Sequence, residues 1–125
     1  MKKVLICDDE QDIRDVLQIL LEIEFEVEII QASDGREGIE YLKQYNDLCL
    51  IVCDMNMPHS KGSDVYNFNR KYKDLPFILL SGDGDQDILE LEDFQSNKKY
   101  RHLNKPWRDN ELYETLEGFL NKKAA

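Results

Sequence analysis

The residues in this sequence that could do chemistry are mostly acidic, and each follows an apolar run. Asp8, Asp9 and Glu10 come directly after VLIC, and Asp54 comes directly after LCLIVC. Ser81, Gly82 and Asp83 follow FILL, and Lys105 and Pro106 stand just past the run that begins at Tyr100. Carboxylates brought within a few ångströms raise one another's proton affinity unless a cation neutralises them. A hard divalent ion with oxygen ligands meets that need, and magnesium, which takes one or two carboxylates and keeps several waters, fits better than calcium. Lys105 is the one cation in this company, and in the plainest reading it simply pairs with Asp54. A metal and a lysine flanking one aspartate also suit an additional anion. With the Ser81 hydroxyl they form the equipment for stabilising a phosphoryl group's equatorial oxygens. Asp54 would then be the nucleophile, a carboxylate that accepts phosphate to give an acyl phosphate.

For these residues to meet, the chain between them must return each apolar run to one sheet. Residues 4–7, 27–30, 48–53, 77–80 and 100–103 are short apolar runs of the kind found in strands buried on both faces. Between them the spacing turns helical. Ile13, Val16, Leu17, Leu20 and Leu21 share one face of an amphipathic helix. Asp34-Gly35-Arg36-Glu37 offers a capping box ahead of Ile39, Leu42 and Tyr45. Val65, Phe68 and Tyr72 predict a third helix starting near Ser63, and residues 87–94 predict a fourth, acidic one with a thin stripe of Ile88, Leu91 and Phe94. Leu112, Leu116, Phe119 and Leu120 predict the last. This alternation predicts an α/β fold: a five-stranded parallel sheet with helices on both faces, doubly wound in the flavodoxin manner, because parallel neighbours need crossovers of this length. Such sheets bind ligands beyond the carboxyl ends of their strands, where the polar residues above fall.

Composition narrows the function. At 125 residues the chain is expected to be a single domain with one site or surface. Its hydrophobic fraction of 42% and charged fraction of 34% suit a soluble protein, and no apolar run approaches the roughly 20 residues of a membrane span. The uncharged run after the two N-terminal lysines is shorter than the ~7–15-residue core of a secretory signal, so a cytoplasmic location is expected. A net charge of -10 argues against direct binding to nucleic acid. Cys7, Cys49 and Cys53 lie in apolar runs and read as reduced core thiols. Strand alternation puts Cys49 and Cys53 on one face, and without a fourth ligand no zinc site is expected. Asp83-Gly84-Asp85-Gln86-Asp87 imitates the start of an EF-hand, yet Ile88 and Phe94 stand where such a loop needs glycine and a bidentate glutamate.

Taken in order, LICDDE, DMNMPHSKG, ILLSGDGD and NKPW resemble the motifs of response regulator receiver domains from bacterial two-component systems, and the resemblance covers nearly the whole chain. It implies that Asp8 and Asp9 form the acidic pair for magnesium, Asp9 directly and Asp8 mostly through water, with Asp54 as phospho-acceptor and a third ligand. It further implies that Asn56 lends a backbone carbonyl to the metal, that Ser81 is the switch hydroxyl and that Lys105 binds the phosphate. Pro58 and Gly62 match the turn that shapes the loop after the acceptor. Gly82 matches a position that governs access to it, and Asn56 and Asp83 flank it where they bear on the lifetime of the phosphorylated state. His102 stands where many relatives carry a tyrosine or phenylalanine that turns inward on phosphorylation, so it is either a switch residue or an edge-strand histidine. DFQSNKK, residues 93–99, departs from the small-residue turn usual before the fifth strand.

The same resemblance implies the partners: a sensor histidine kinase or a histidine phosphotransfer protein upstream, and a downstream protein or an effector domain outside these 125 residues. It implies self-catalysed phosphorylation, with possible autodephosphorylation, rather than turnover of a separate substrate. One competing class is a magnesium-dependent phosphohydrolase of the haloacid dehalogenase type, which needs a second aspartate two residues after the nucleophile. Asn56 occupies that position. The other is a receiver-like interaction module that never meets phosphate, against which the acidic pair, Asp54 and Lys105 all weigh.

Overall fold

The computed structural model describes residues 1–57, 61–82, 93–94 and 99–124. Strands β1 (Lys2–Cys7), β2 (Val27–Ala32), β3 (Leu48–Asp54), β4 (Phe77–Ser81) and β5 (Tyr100–Asn104) form one parallel sheet in the order β2-β1-β3-β4-β5. Helices α1 (Gln11–Glu24), α2 (Gly35–Gln44), α3 (Gly62–Tyr72) and α4 (Asp109–Glu117) pack on its two faces. The strand order reverses at β1, so β1 and β3 sit centrally with their C-terminal ends side by side. That arrangement brings residues 46 positions apart in the chain, Asp8 and Asp54, to one rim.

Each strand divides its side chains between two apolar layers. Val4, Ile6, Leu50, Val52, Ile78 and Leu80 meet Leu17 and Leu21 of α1 and Leu112 and Leu116 of α4 on one side. Leu5, Cys7, Ile51, Cys53, Phe77 and Leu79 meet Leu42 of α2 and Val65 and Tyr66 of α3 on the other. The alternation fails at one point. The β1–β3 register runs from Lys3↔Leu48 to Val4↔Leu50, so Cys49 is an extra residue in the ladder. Cys49 therefore packs with the α1–α4 layer and Cys53 with the α2–α3 layer, contrary to the single face that simple alternation predicts.

The helical readings also need adjustment at their margins. Val16 and Tyr72, assigned to inward stripes, are exposed: α1 carries more apolar residues than its buried face holds, so Ile19 and Ile23 are exposed with Val16, and Tyr72 is the last residue of α3. Asp34 caps α2 by accepting from the Glu37 amide at 2.8 Å, while Glu37 reaches back to the Ser33 amide, one residue before the cap. α3 starts at Gly62 after Lys61, whose amide donates to Asp64. Most of the predicted acidic helix, residues 87–94, lies outside the described residues; Asp93 and Phe94 are helical.

Those two residues are moored to α3. Asp93 Oδ2 accepts from the Tyr66 hydroxyl at 2.6 Å and from Arg70 Nε at 2.9 Å, and the Phe94 ring packs against Tyr66, Phe77 and Tyr100. Beneath them the buried Asn69 donates to the Leu75 carbonyl and the Tyr100 hydroxyl and accepts from the Leu75 amide. It ties α3 to the turn before β4 and to the start of β5. Removing it by Asn69→Ala strands buried partners, and an unfolding free energy lower by about 1–3 kcal/mol is expected in urea denaturation.

Candidate functional site

The rim formed by β1, β3 and β5 gathers the charges. Asp8 is fully buried and Asp54 is 6% exposed, whereas Asp9 is open to solvent. One oxygen from each of the three carboxylates lies within 4.8 Å of the others, a set of hard donors able to hold a divalent cation. Lys105 reaches in from the end of β5, its Nζ 3.0 Å from Asp54 Oδ1 and 3.2 Å from Asp8 Oδ2. Backbone geometry fixes both carboxylates. The Glu10 amide donates to Asp8 Oδ1 at 2.9 Å, and the Asn56 amide lies near the Asp54 carboxylate.

Burial is the largest influence on Asp54 and pushes its pKa up; Lys105 opposes it, Asp8 reinforces it and the Asn56 amide opposes it. For Lys105, loss of solvent pulls the pKa down, yet its attraction to Asp54 and Asp8 outweighs that and leaves it raised. The site thus holds more negative charge than one ammonium neutralises comfortably.

Several neighbours set the shape of the rim. Gly62, the first residue of α3, lies against the acceptor strand: an added Cβ would meet the Asp54 carbonyl oxygen and come within 2.7 Å of Met55 Cα, and the Gly62 amide donates to the Met55 carbonyl. Only glycine lets α3 approach so closely. Pro58, the other residue expected to shape this loop, lies outside the described residues, as does Asp83. Asn56 is exposed beside Asp54. Ser81 is fully buried at the end of β4, and its hydroxyl donates toward β5, to the Leu103 carbonyl at 3.5 Å and Asn104 Oδ1 at 3.4 Å. Gly82 follows it at the rim, where an added Cβ would have open space. His102 is exposed on the edge strand β5.

Three features of the rim have no signal in the residue pattern. Arg14 donates from Nη1 to the Asp8 carbonyl at 2.8 Å and from Nε to Gln31, bracing the β1 end against β2. The Lys105–Pro106 peptide is cis. Beside it Ile13, Lys105, Pro106 and Trp107 line an apolar cleft of about 370 Å³. None of these residues is chemically unusual by type, and only the topology brings Ile13 to Trp107.

A doubly wound sheet with buried aspartates and a lysine at the C-terminal rim defines a class, and comparison with known proteins agrees. Residues 4–117 match the response regulator receiver domain family, and the chain belongs to it. Members of that family are the phospho-acceptor domains of two-component signalling. Over 120 residues the chain is 31% identical to the transcriptional regulatory protein SrrA of Staphylococcus aureus, covering 96% of this chain and 48% of that protein. The chain therefore spans about half the length of the curated relatives it matches. Among solved structures, a receiver domain protein from Clostridium thermocellum superposes with a TM-score of 0.80 at 27% identity, covering 94% of this chain and 93% of that one. The signal receiver domain of an HD domain-containing protein from Pseudomonas fluorescens gives 0.78 at 26% identity, covering 94% and 85%.

The raised pKa of Asp54 carries a stability consequence of definite sign. A folded-state pKa above the unfolded value means that ionisation opposes folding, so stability present below the ordinary carboxylate value of 3.8 is lost as pH rises through the folded pKa. Asp54→Asn, which cannot ionise, is expected to have a higher thermal midpoint than the parent at pH 7 without divalent ions. The gap should close as pH falls below 3.8. An equal or lower midpoint at pH 7 would contradict the assigned balance of burial against Lys105.

Proposed function

We propose that this chain accepts a phosphoryl group on Asp54 in a magnesium-assisted reaction and thereby alters a protein-binding surface around β4 and β5. The observation that carries the reading is Asp54 itself, held 3.0 Å from Lys105 with oxygens of Asp8 and Asp9 within 4.8 Å. The side-chain donors are all carboxylates and carry surplus negative charge, which suits magnesium. Asp8, Asp9 and Asp54 would hold the ion, joined by the Asn56 carbonyl. When bound, magnesium supplies positive charge that offsets both the carboxylates and the oxygens of an incoming phosphoryl group.

The chain's own residues do the rest. An Asp54 oxygen attacks phosphorus in line; the bond from phosphorus to the donor's imidazole nitrogen breaks, and the freed nitrogen keeps the electron pair. Lys105, already beside Asp54, turns one donor toward the phosphoryl oxygens, which moves its charge from the carboxylates to the group where charge accumulates. Ser81 then exchanges its long hydrogen bonds to β5 for one to the phosphoryl oxygen, drawing in the end of β4. That change is a population shift and requires phosphate to favour one packing over the other. Asn56 and Asp83 are assigned to the lifetime of the acyl phosphate, Asp83 from its sequence position alone. His102, exposed on β5, would act as part of the binding surface or as a switch residue.

The donor is a phosphohistidine on a sensor kinase or phosphotransfer protein. The output passes to another protein or to an effector domain outside these residues, and we read residues 1–125 as one receiver domain without direct nucleic-acid or membrane contact, working in the cytoplasm. Among the described residues no helix is long and apolar enough to cross a membrane.

With acetyl phosphate and magnesium, intact-mass spectrometry of the parent should show one added phosphate and Asp54→Asn none. Lys105→Ala should slow the gain by roughly 10²–10³-fold, the cost of losing one charge-stabilising donor. Unchanged phosphorylation of Asp54→Asn would overturn the assignment.

A further inference from the structure

The mechanism leaves two buried nucleophiles unused, and they stand directly behind the reacting carboxylates. Cys7 precedes Asp8 and Cys53 precedes Asp54, and the two cysteines are register partners across the β1–β3 ladder. Both are fully buried in the same apolar layer. The third cysteine is excluded from the pair because the ladder irregularity turns Cys49 to the opposite layer.

Neighbouring strands lie about 4.7–4.9 Å apart, inside the roughly 4.4–6.8 Å window of Cα separations that a disulfide spans. α2 packs onto the pair at Gly38, where an added Cβ would come within 2.7 Å of Cys7 Sγ. The Cys7 thiol thus has no room to swing toward α2.

We propose that Cys7 and Cys53 are a modification site, a dithiol that a hydroperoxide converts to an intrachain disulfide, and that this crosslink slows phosphorylation of Asp54. One thiol attacks the peroxide oxygen, the O–O bond breaks, and a sulfenic acid and water form with hydrogen peroxide as the oxidant. The second thiol displaces hydroxide from that sulfur, giving the disulfide and a second water. Both sulfurs are oxidised by one electron each, and the peroxide takes up the pair. Burial slows the reaction of both thiols and excludes bulky reagents, so the oxidant must be about the size of water. The crosslink would lock the separation of the residues that precede Asp8 and Asp54, and so remove the give with which the two carboxylates adjust to a shared cation.

The regulatory half of this inference rests on the proposed role of Asp54; the crosslink does not. The full chain carrying Cys49→Ser, to prevent linkage between molecules, is treated with hydrogen peroxide, blocked with N-ethylmaleimide under denaturing conditions and mapped by mass spectrometry without reduction. The expected result is a peptide pair joined through Cys7 and Cys53 and lighter by two hydrogens. Phosphorylation by acetyl phosphate should then be about tenfold slower, within the usual range of coupling between sites, and recover with dithiothreitol. Cys53→Ser, or Cys7→Ala if circular dichroism shows the first to be unfolded, should keep its rate after peroxide. Recovery of both cysteines as alkylated thiols after peroxide would overturn the site, and a crosslink with an unchanged rate would overturn its regulatory effect. A parent protein that takes no phosphate before oxidation would instead indict the proposed function.

Discussion

Two carboxylates that lose their water must share whatever positive charge is near, and here the nearest is one ammonium. Lys105 sits 3.0 Å from Asp54 and 3.2 Å from Asp8, with Asp9 adding a further negative charge at the edge. Burial and Asp8 raise the pKa of Asp54 more than Lys105 and the Asn56 amide lower it. Such a site is electrostatically unfinished. It favours an added cation. The tension that costs the resting fold stability is the one on which the proposed phosphoryl transfer draws.

The fold creates this tension through connectivity. A parallel sheet with its order reversing at β1 lays the ends of β1 and β3 side by side, so two acidic residues distant in the chain become neighbours. The approach of α3 through Gly62 and the brace from Arg14 to the Asp8 carbonyl then hold the rim in shape. On the far side, β5 presents Lys105 while its own start is anchored by Asn69, Asp74 and the aromatic cluster of Tyr66, Phe77, Phe94 and Tyr100. The segment 93–99, which departs from the family's usual turn, contributes Asp93 and Phe94 to that anchorage. Asp93 is held there by partners on α3, the Tyr66 hydroxyl and the Arg70 guanidinium.

The rim was legible in the sequence because Asp8, Asp54 and Ser81 each interrupt an unbroken apolar run, and the end of a buried strand is the one place such an interruption is tolerated. The five strands and their order of appearance followed from the same runs. What escaped was whatever depends on contacts between distant elements. Cys49 changes face because of a ladder irregularity that period-two alternation cannot register. Val16 is exposed because α1 has more apolar residues than its buried stripe requires, and spacing alone does not say which ones face water. Arg14 and Ile13 look like ordinary helix residues until β1 and β5 are brought beside them. His102 was left between two roles, and its exposed position on β5 is compatible with both.

Since Trp107 is the sole tryptophan and lies next to Lys105 in the cleft with Ile13, its fluorescence reports on the rim directly. The most direct measurement is a magnesium titration of the unmodified chain followed at Trp107, repeated with beryllofluoride. The expected result is a saturable change with magnesium that Asp9→Asn weakens, and a second change with beryllofluoride that appears only when magnesium is present. A flat response to magnesium, with the fold intact, would contradict the claim that the three carboxylates and Lys105 form an ion-dependent phosphate site.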